Sequence, residues 1–154
     1  MKLLFPGSFD PPHLGHLDVV RRAAELARSG GGELLVAVAD NPDKPGWLAI
    51  DRRIALLADL CCEVPGTRPV SFRGATVLFA QTNGVDALVR GIRNPLDFEH
   101  EKAMAEVNRG HGVDTLFFMT AGVHAHLSSH LVRSAKAAGL PIDSLVPPVV
   151  AKAL

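Results

Sequence analysis

The order of patterns along this chain predicts an α/β protein built on a doubly wound, five-stranded parallel sheet. Three observations predict it. Short apolar runs alternate with helical patterns through nearly all of the 154 residues. One run, Leu34–Ala39 (LLVAVA), is continuously apolar, as expected of a strand covered on both faces. The segments rich in His, Arg and Ser each follow a strand-like run, at the carboxyl ends where open parallel sheets bind ligands.

Lys2–Phe5 reads as the first strand. Leu17–Arg28 reads as a helix turning Val19, Val20, Ala23, Ala24 and Ala27 inward, and Gly30-Gly31-Gly32 ends it. After the strand Leu34–Ala39, a polar, Pro-containing loop, Asp40–Trp47, precedes a helix over Asp51–Cys61. Pro69–Phe72 is a candidate short strand and Ala75–Gln81 a helix. Ala87-Leu88-Val89 forms the next buried strand and Pro95–Arg109 a longer helix. Thr115–Met119 (TLFFM) is the fifth strand, and Ser128–Ala138 a helix stopped by Gly139 and Pro141. The tail Pro147–Leu154 reads as one more turn or short helix. With no repeat, low-complexity tract or linker, residues 1–154 are expected to form a single domain.

Bulk properties narrow the class. Hydrophobic residues make up 47 %, which fits a globular protein with a sizeable core. Lys plus Arg and Asp plus Glu both number 16, so the formal charge is zero, which argues against a broad nucleic-acid footprint but allows a local cationic pocket. No long apolar span suggests a membrane helix, and the chain opens on a strand-like run rather than a signal-peptide pattern, so the cytoplasm is the expected compartment. The adjacent Cys61 and Cys62 make a strained disulfide at best and are expected to be reduced, at a helix end, with no chemistry.

The richest segment is Gly7-Ser8-Phe9-Asp10-Pro11-Pro12-His13-Leu14-Gly15-His16. A strand, a Gly- and Pro-bounded turn and a helix start make a phosphate site, because free N–H groups and the positive dipole end attract anions. A histidine there adds a donor where phosphate charge changes. In Val89-Arg90-Gly91-Ile92-Arg93 a buried strand runs out into two arginines, whose planar forks suit phosphate. Leu127-Ser128-Ser129-His130-Leu131-Val132-Arg133 offers N-capping serines at a second helix start beside the first, with Arg133 one turn on. Lys44 stands in the loop after the second strand. Asp97 and Glu101 are spaced to share one helix face, where carboxylates are usually solvated. His124, His126 and His130 cluster without the spacing of a dedicated zinc site.

On these residues the chain resembles the HxGH nucleotidyltransferase superfamily, and within it the phosphopantetheine adenylyltransferases. The resemblance runs nearly end to end: Pro6–Pro11 with Gly15-His16, Asn41-Pro42 with Lys44, Leu88–Arg93 continuing into Asp97–Glu101 and Asn108-Arg109, Ser128-Ser129 with Leu131-Val132, and Val146-Pro147. It implies a Rossmann-like nucleotidyltransferase fold and adenylyl transfer from ATP to 4′-phosphopantetheine, a step of coenzyme A biosynthesis. It places ATP against Ser8, Phe9, His16, Gly91, Ile92, Arg93, Glu101 and the loop of His124, Ala125, His126, Leu127, Ser128, Ser129 and His130. The acceptor side takes Ser8, Lys44, Thr76, Arg90 and Asn108, and His16, Lys44 and Arg93 are the implied catalytic set. Mg²⁺ is implied on the ATP phosphates rather than in a protein cage, with coenzyme A as a feedback ligand and a hexamer as the assembly; nucleic acid and membrane are not expected partners. Three histidines depart from the family pattern: His13, His124 where an aromatic residue is common, and His130 after the Ser pair. The alternatives are another HxGH enzyme, using nicotinamide mononucleotide or CTP with an alcohol phosphate, and a noncatalytic nucleotide sensor.

Overall fold

In the computed structural model, which describes residues 1–154, five strands alternate with helices as the sequence patterns require. In chain order they are β1 (Leu3–Gly7), α1 (Leu14–Ser29), β2 (Leu34–Asp40), α2 (Ile50–Cys62), β3 (Thr67–Arg73), α3 (Thr76–Thr82), β4 (Ala87–Ile92), α4 (Pro95–Gly110), β5 (Asp114–Met119), α5 (Ser129–Ala137) and α6 (Pro148–Ala153). A 3₁₀ turn, Gly122–His124, lies between β5 and α5. The strands form one sheet, all parallel, in the order β3-β2-β1-β4-β5.

Alternate residues of the central strands feed opposite faces, so both are covered. Leu3, Phe5, Val36, Val38 and Val89 pack with Val19, Val20, Ala23, Ala24 and Ala27 of α1 and Leu57 and Leu60 of α2. Leu4, Leu35, Ala37 and Leu88 pack on the other side with Val77 and Ala80 of α3. A separate cluster, Leu56, Val132, Ala135, Ile142, Val146 and Val150, joins α2, α5 and α6. No helix is long and apolar enough to cross a membrane.

Two local differences from the sequence expectation have clear causes. The first helix begins at Leu14 rather than Leu17, because His13 caps it. The third strand runs over Thr67–Arg73 rather than only Pro69–Phe72, in full register with β2. As an edge strand it is largely half-buried or exposed, which weakens its apolar signal and tolerates Pro69. Cys61 and Cys62 are free thiols at the end of α2, and burial pushes the Cys61 thiol up to about 11, into its unreactive protonated form.

The site is positioned by the way the sheet opens. β1 pairs with β2 along its whole length, Leu3 to Gly7, but with β4 only at Leu3 and Leu4. Beyond Leu4 the two strands part, at the point where strand order reverses direction. A crevice at the carboxyl ends of β1 and β4 follows directly from that pairing.

Candidate active site

The turn from β1 into α1 is built around a buried peg. The Phe9 ring is fully buried, 5.6 Å from Phe5 and 4.9 Å from His16. Phe9 has φ 46°, the only non-glycine residue in the left-handed region. Gly7 leaves room beneath it, since a Cβ there would crowd the ring at 3.0 Å. Asp10 is buried as well and accepts N–H bonds from Trp47 (2.7 Å) and Leu48 (2.8 Å), tying the Lys44 loop to the turn at its far end.

At the start of α1 two histidines replace the usual capping side chains. His13 Nδ1 accepts from the Gly15 N–H (3.1 Å), while the His13 N–H donates to His16 Nδ1 (3.2 Å). The rings stack with centroids 3.7 Å apart. Both Nδ1 atoms are acceptors, so each neutral ring carries its proton on Nε2. Charging either ring would set an Nδ1–H against a backbone N–H. Burial, then Arg93 and His124, lowers the His13 pKa to about 4. His16 is held well below its ordinary value by burial first, then by His13, Arg93 and Arg90. At neutral pH the helix start therefore presents uncharged N–H donors.

The crevice holds a cavity of about 350 Å³. Its walls bring together Ser8, His16, Arg90, Gly91, Arg93, Glu101, Ser128 and Ser129 from the sequence expectation, and add His13, Asp97 and Thr120. A second cavity of about 190 Å³ shares Pro6, Arg90 and Glu101 with the first and contains Thr76, Asn108, His100 and Met104. Thr115 also lines it, and its Oγ1 has no hydrogen-bond partner.

Both arginines of the Arg90–Arg93 segment are already paired. Arg90 forks onto Glu101, with Nε 2.6 Å from one carboxylate oxygen. Arg93 forks onto Asp97 at 2.7 and 3.0 Å and donates to the Leu127 carbonyl at 3.1 Å. The hydrogen bond from Arg93 holds the Asp97 carboxyl below the usual carboxylate range. These carboxylates are thus not the solvated helix face the spacing suggests; α4 turns each toward a different arginine. A guanidinium fork that pairs a carboxylate in this way has the geometry to pair a phosphate as well.

Other expected residues lie apart. Phe9, Ile92 and Leu127 are buried, so only their backbone can meet a ligand. Lys44, His126 and His130 are exposed and outside both cavity walls, and His124 and Ala125 are half-buried beside them. Ser128 caps α5 by accepting from the Leu131 N–H, and Ser129 Oγ donates to the Pro11 carbonyl. Thr120 was open to discovery from sequence, as the residue following a buried strand on the ligand side. His13 and Asp97 were visible as residues but not as walls of this cavity.

Comparison with known proteins bears on this geometry. Residues 4–135 match the family model described as cytidylyltransferase-like. A phosphopantetheine adenylyltransferase from Prochlorococcus marinus (strain NATL2A) is 39 % identical, covering 100 % of this chain and 96 % of its own. One from Corynebacterium diphtheriae is also 39 % identical, covering 99 % of this chain and 95 % of its own. Among solved structures, a protein from Vibrio parahaemolyticus named as a nicotinate-nucleotide adenylyltransferase superposes with TM-score 0.70 at 17 % identity, over 98 % of this chain and 89 % of that one; this likeness concerns the fold alone.

Proposed function

The chain belongs to the cytidylyltransferase-like family and, within it, to the phosphopantetheine adenylyltransferases, and we propose that the crevice between β1 and β4 is where its residues bring ATP and 4′-phosphopantetheine together. It is a nucleotidyltransferase that moves an adenylyl group from ATP to 4′-phosphopantetheine, giving dephospho-coenzyme A and pyrophosphate in coenzyme A biosynthesis. The observation that supports the site assignment best is the pair of cavities meeting at Arg90, one beside the His13–His16 helix start and one beside Thr76 and Asn108.

In the proposed reaction an oxygen of the acceptor 4′-phosphate attacks the α-phosphorus of ATP in line. The bond from that phosphorus to the bridging oxygen breaks, and the electron pair leaves with pyrophosphate. The acceptor is already an anion, so no general base or protein nucleophile is needed. Catalysis consists of aligning two anions and stabilising the charge that develops between them. His16, with Nε2–H as its free donor, stabilises the reacting phosphate; Arg93 and the helix starts hold the donor phosphates; Arg90 and Lys44 hold the acceptor phosphate. The second cavity takes the pantetheine arm, between Thr76 of α3 and Met104 and Asn108 of α4.

When bound with the nucleotide, Mg²⁺ would supply charge neutralisation at the phosphates. Asp97 and Glu101, the carboxylates in the cavity wall, are each bound to an arginine, a donor set that fits an ion arriving on the nucleotide, mostly hydrated. We place the enzyme in the cytoplasm as one domain over residues 1–154, with coenzyme A as a feedback ligand of the same cavities.

Lys44 gives a direct test of the acceptor side. Its position outside the cavity wall requires the Asp40–Trp47 loop to carry it inward when the acceptor phosphate binds. Lys44→Ala is expected to raise the KM for 4′-phosphopantetheine by roughly 10- to 100-fold, the scale of one charge-assisted hydrogen bond, with the KM for ATP within about twofold. Steady-state kinetics on both substrates checks this division. A panel of ATP and CTP against 4′-phosphopantetheine and nicotinamide mononucleotide tests the substrate pair, with turnover expected only for ATP with 4′-phosphopantetheine.

The surface supports a homo-oligomer, with a hexamer as the proposed form. Helix α4 has no buried residue, and Leu96 is 75 %, Met104 55 % and Val107 54 % exposed. Such a run of apolar side chains on one helix suits an interface. Sedimentation is expected to give six 16.4 kDa chains, and Leu96→Glu combined with Val107→Glu to give smaller species.

A further inference from the structure

The phosphate turn is held by its carbonyls. Arg90 Nη1 donates to the Pro6 carbonyl (3.0 Å), Arg53 Nη1 of α2 to the Ser8 carbonyl (3.2 Å), Arg133 Nη1 of α5 to the Asp10 carbonyl (2.7 Å) and Ser129 Oγ to the Pro11 carbonyl (2.9 Å). Four side chains from three elements thus bind the acceptor groups of one short segment. The pattern has a simple electrostatic meaning. Carbonyl oxygens repel phosphate and amide N–H groups attract it. In a trans peptide the two point opposite ways, so the Phe9 N–H faces away from the oxygen that Arg53 holds. The Asp10 and Pro11 carbonyls belong to peptides whose nitrogen is proline, which offers no N–H in return. Engaging those oxygens keeps them from facing an anion.

Arg53 is the least expected member. It is 6 % exposed, forms no ion pair, and its Nε has no partner. Gly46 lies close to both Arg53 and Asp10: a Cβ there would lie 3.0 Å from Asp10 Oδ2 and 3.2 Å from Arg53 Cζ. A buried guanidinium with one hydrogen bond to a neutral oxygen is a poor device for stability alone. It stands beside the one bulky residue in the left-handed region, Phe9, flanked by the two carbonyls that Arg53 and Arg133 hold.

We infer that Arg53 is a positioning residue for phosphate binding, holding the Ser8 carbonyl so that the turn offers N–H groups rather than oxygens to the phosphates, while Arg133 does the same at Asp10. This rests on the phosphate reading of the turn, and it assigns Arg133 to the backbone rather than to the ligand.

The test is calorimetric titration of the full-length protein with MgATP and with inorganic pyrophosphate, alongside thermal melting, for Arg53→Met, Arg53→Lys and Arg133→Met. Folded Arg53→Met is expected to bind both ligands roughly 10- to 100-fold more weakly, the scale of one misdirected hydrogen bond to a charged phosphate. Arg53→Lys, which keeps a donor for Ser8, recovers most of that affinity, and Arg133→Met loses roughly tenfold. Should Arg53→Met not fold, Arg53→Lys and Arg133→Met carry the measurement. A folded Met variant that binds both ligands within twofold of wild type overturns the proposal. Wild-type protein that binds neither ligand overturns the phosphate reading beneath it.

Discussion

His16→Ala is expected to lower kcat by roughly 10²- to 10³-fold, the loss seen when one preorganised donor to a developing oxyanion is removed. The ring sits in the cavity wall with Nδ1 committed to the His13 N–H, so Nε2–H is the group it can offer. His16→Ala also removes half of the cap on α1. His16→Asn separates the two effects, because an amide oxygen can replace Nδ1 as acceptor while the amide NH2 ends one bond short of the position of Nε2–H. Both variants are expected to lose turnover alike, but only Ala to lose stability as well, by about 1 kcal/mol for a lost cap. Turnover by single-time-point and initial-rate assays, paired with urea unfolding, distinguishes them. Near-normal kcat in folded His16→Asn removes His16 from the transition state.

The paired histidines also fix how the fold responds to acid. His13 has its pKa lowered from 6.5 to about 4, so the folded protein disfavours the charged ring and the unfolded chain binds more protons between those values. The stabilisation is complete above pH 6.5, falls as pH drops toward 4, and is gone below it. The shift corresponds to about 3 kcal/mol for His13 alone, and His16 acts in the same direction. His13→Asn retains a good N-cap without a titrating group. Its unfolding free energy is expected to fall by about 3 kcal/mol less than wild type between pH 7.5 and pH 4. Chemical denaturation at both pH values is the check, and equal losses in the two proteins contradict neutral histidines at the helix start. At neutral pH both rings are uncharged, so neither His13 nor His16 contributes a step near 6.5 to the kcat/KM profile.

Much of this arrangement is legible in the sequence because it depends on local patterns. Leu34–Ala39 reads as a doubly covered strand and is one, and the His-, Arg- and Ser-bearing segments do converge at the carboxyl ends of β1, β4 and β5. Local pattern failed where an unusual side chain takes a familiar role or the partner is distant. The start of α1 lay three residues earlier than its apolar period suggested, because imidazole acts as the cap. Asp97 and Glu101 share a helix face by spacing, yet Arg90 and Arg93 divide them. Arg53 and Arg133 carry no motif that announces a carbonyl 45 or 123 residues away. The parting of β1 from β4 after Leu4, which creates the crevice, is a property of register and has no signature in either strand.

The most direct measurement is pyrophosphate release from MgATP with and without 4′-phosphopantetheine, with MgATP binding measured on the same protein. Release that requires the acceptor and yields dephospho-coenzyme A in equal amount is the expected result. Bound MgATP with no release when the acceptor is present, or release that is indifferent to the acceptor, contradicts adenylyl transfer between the two cavities.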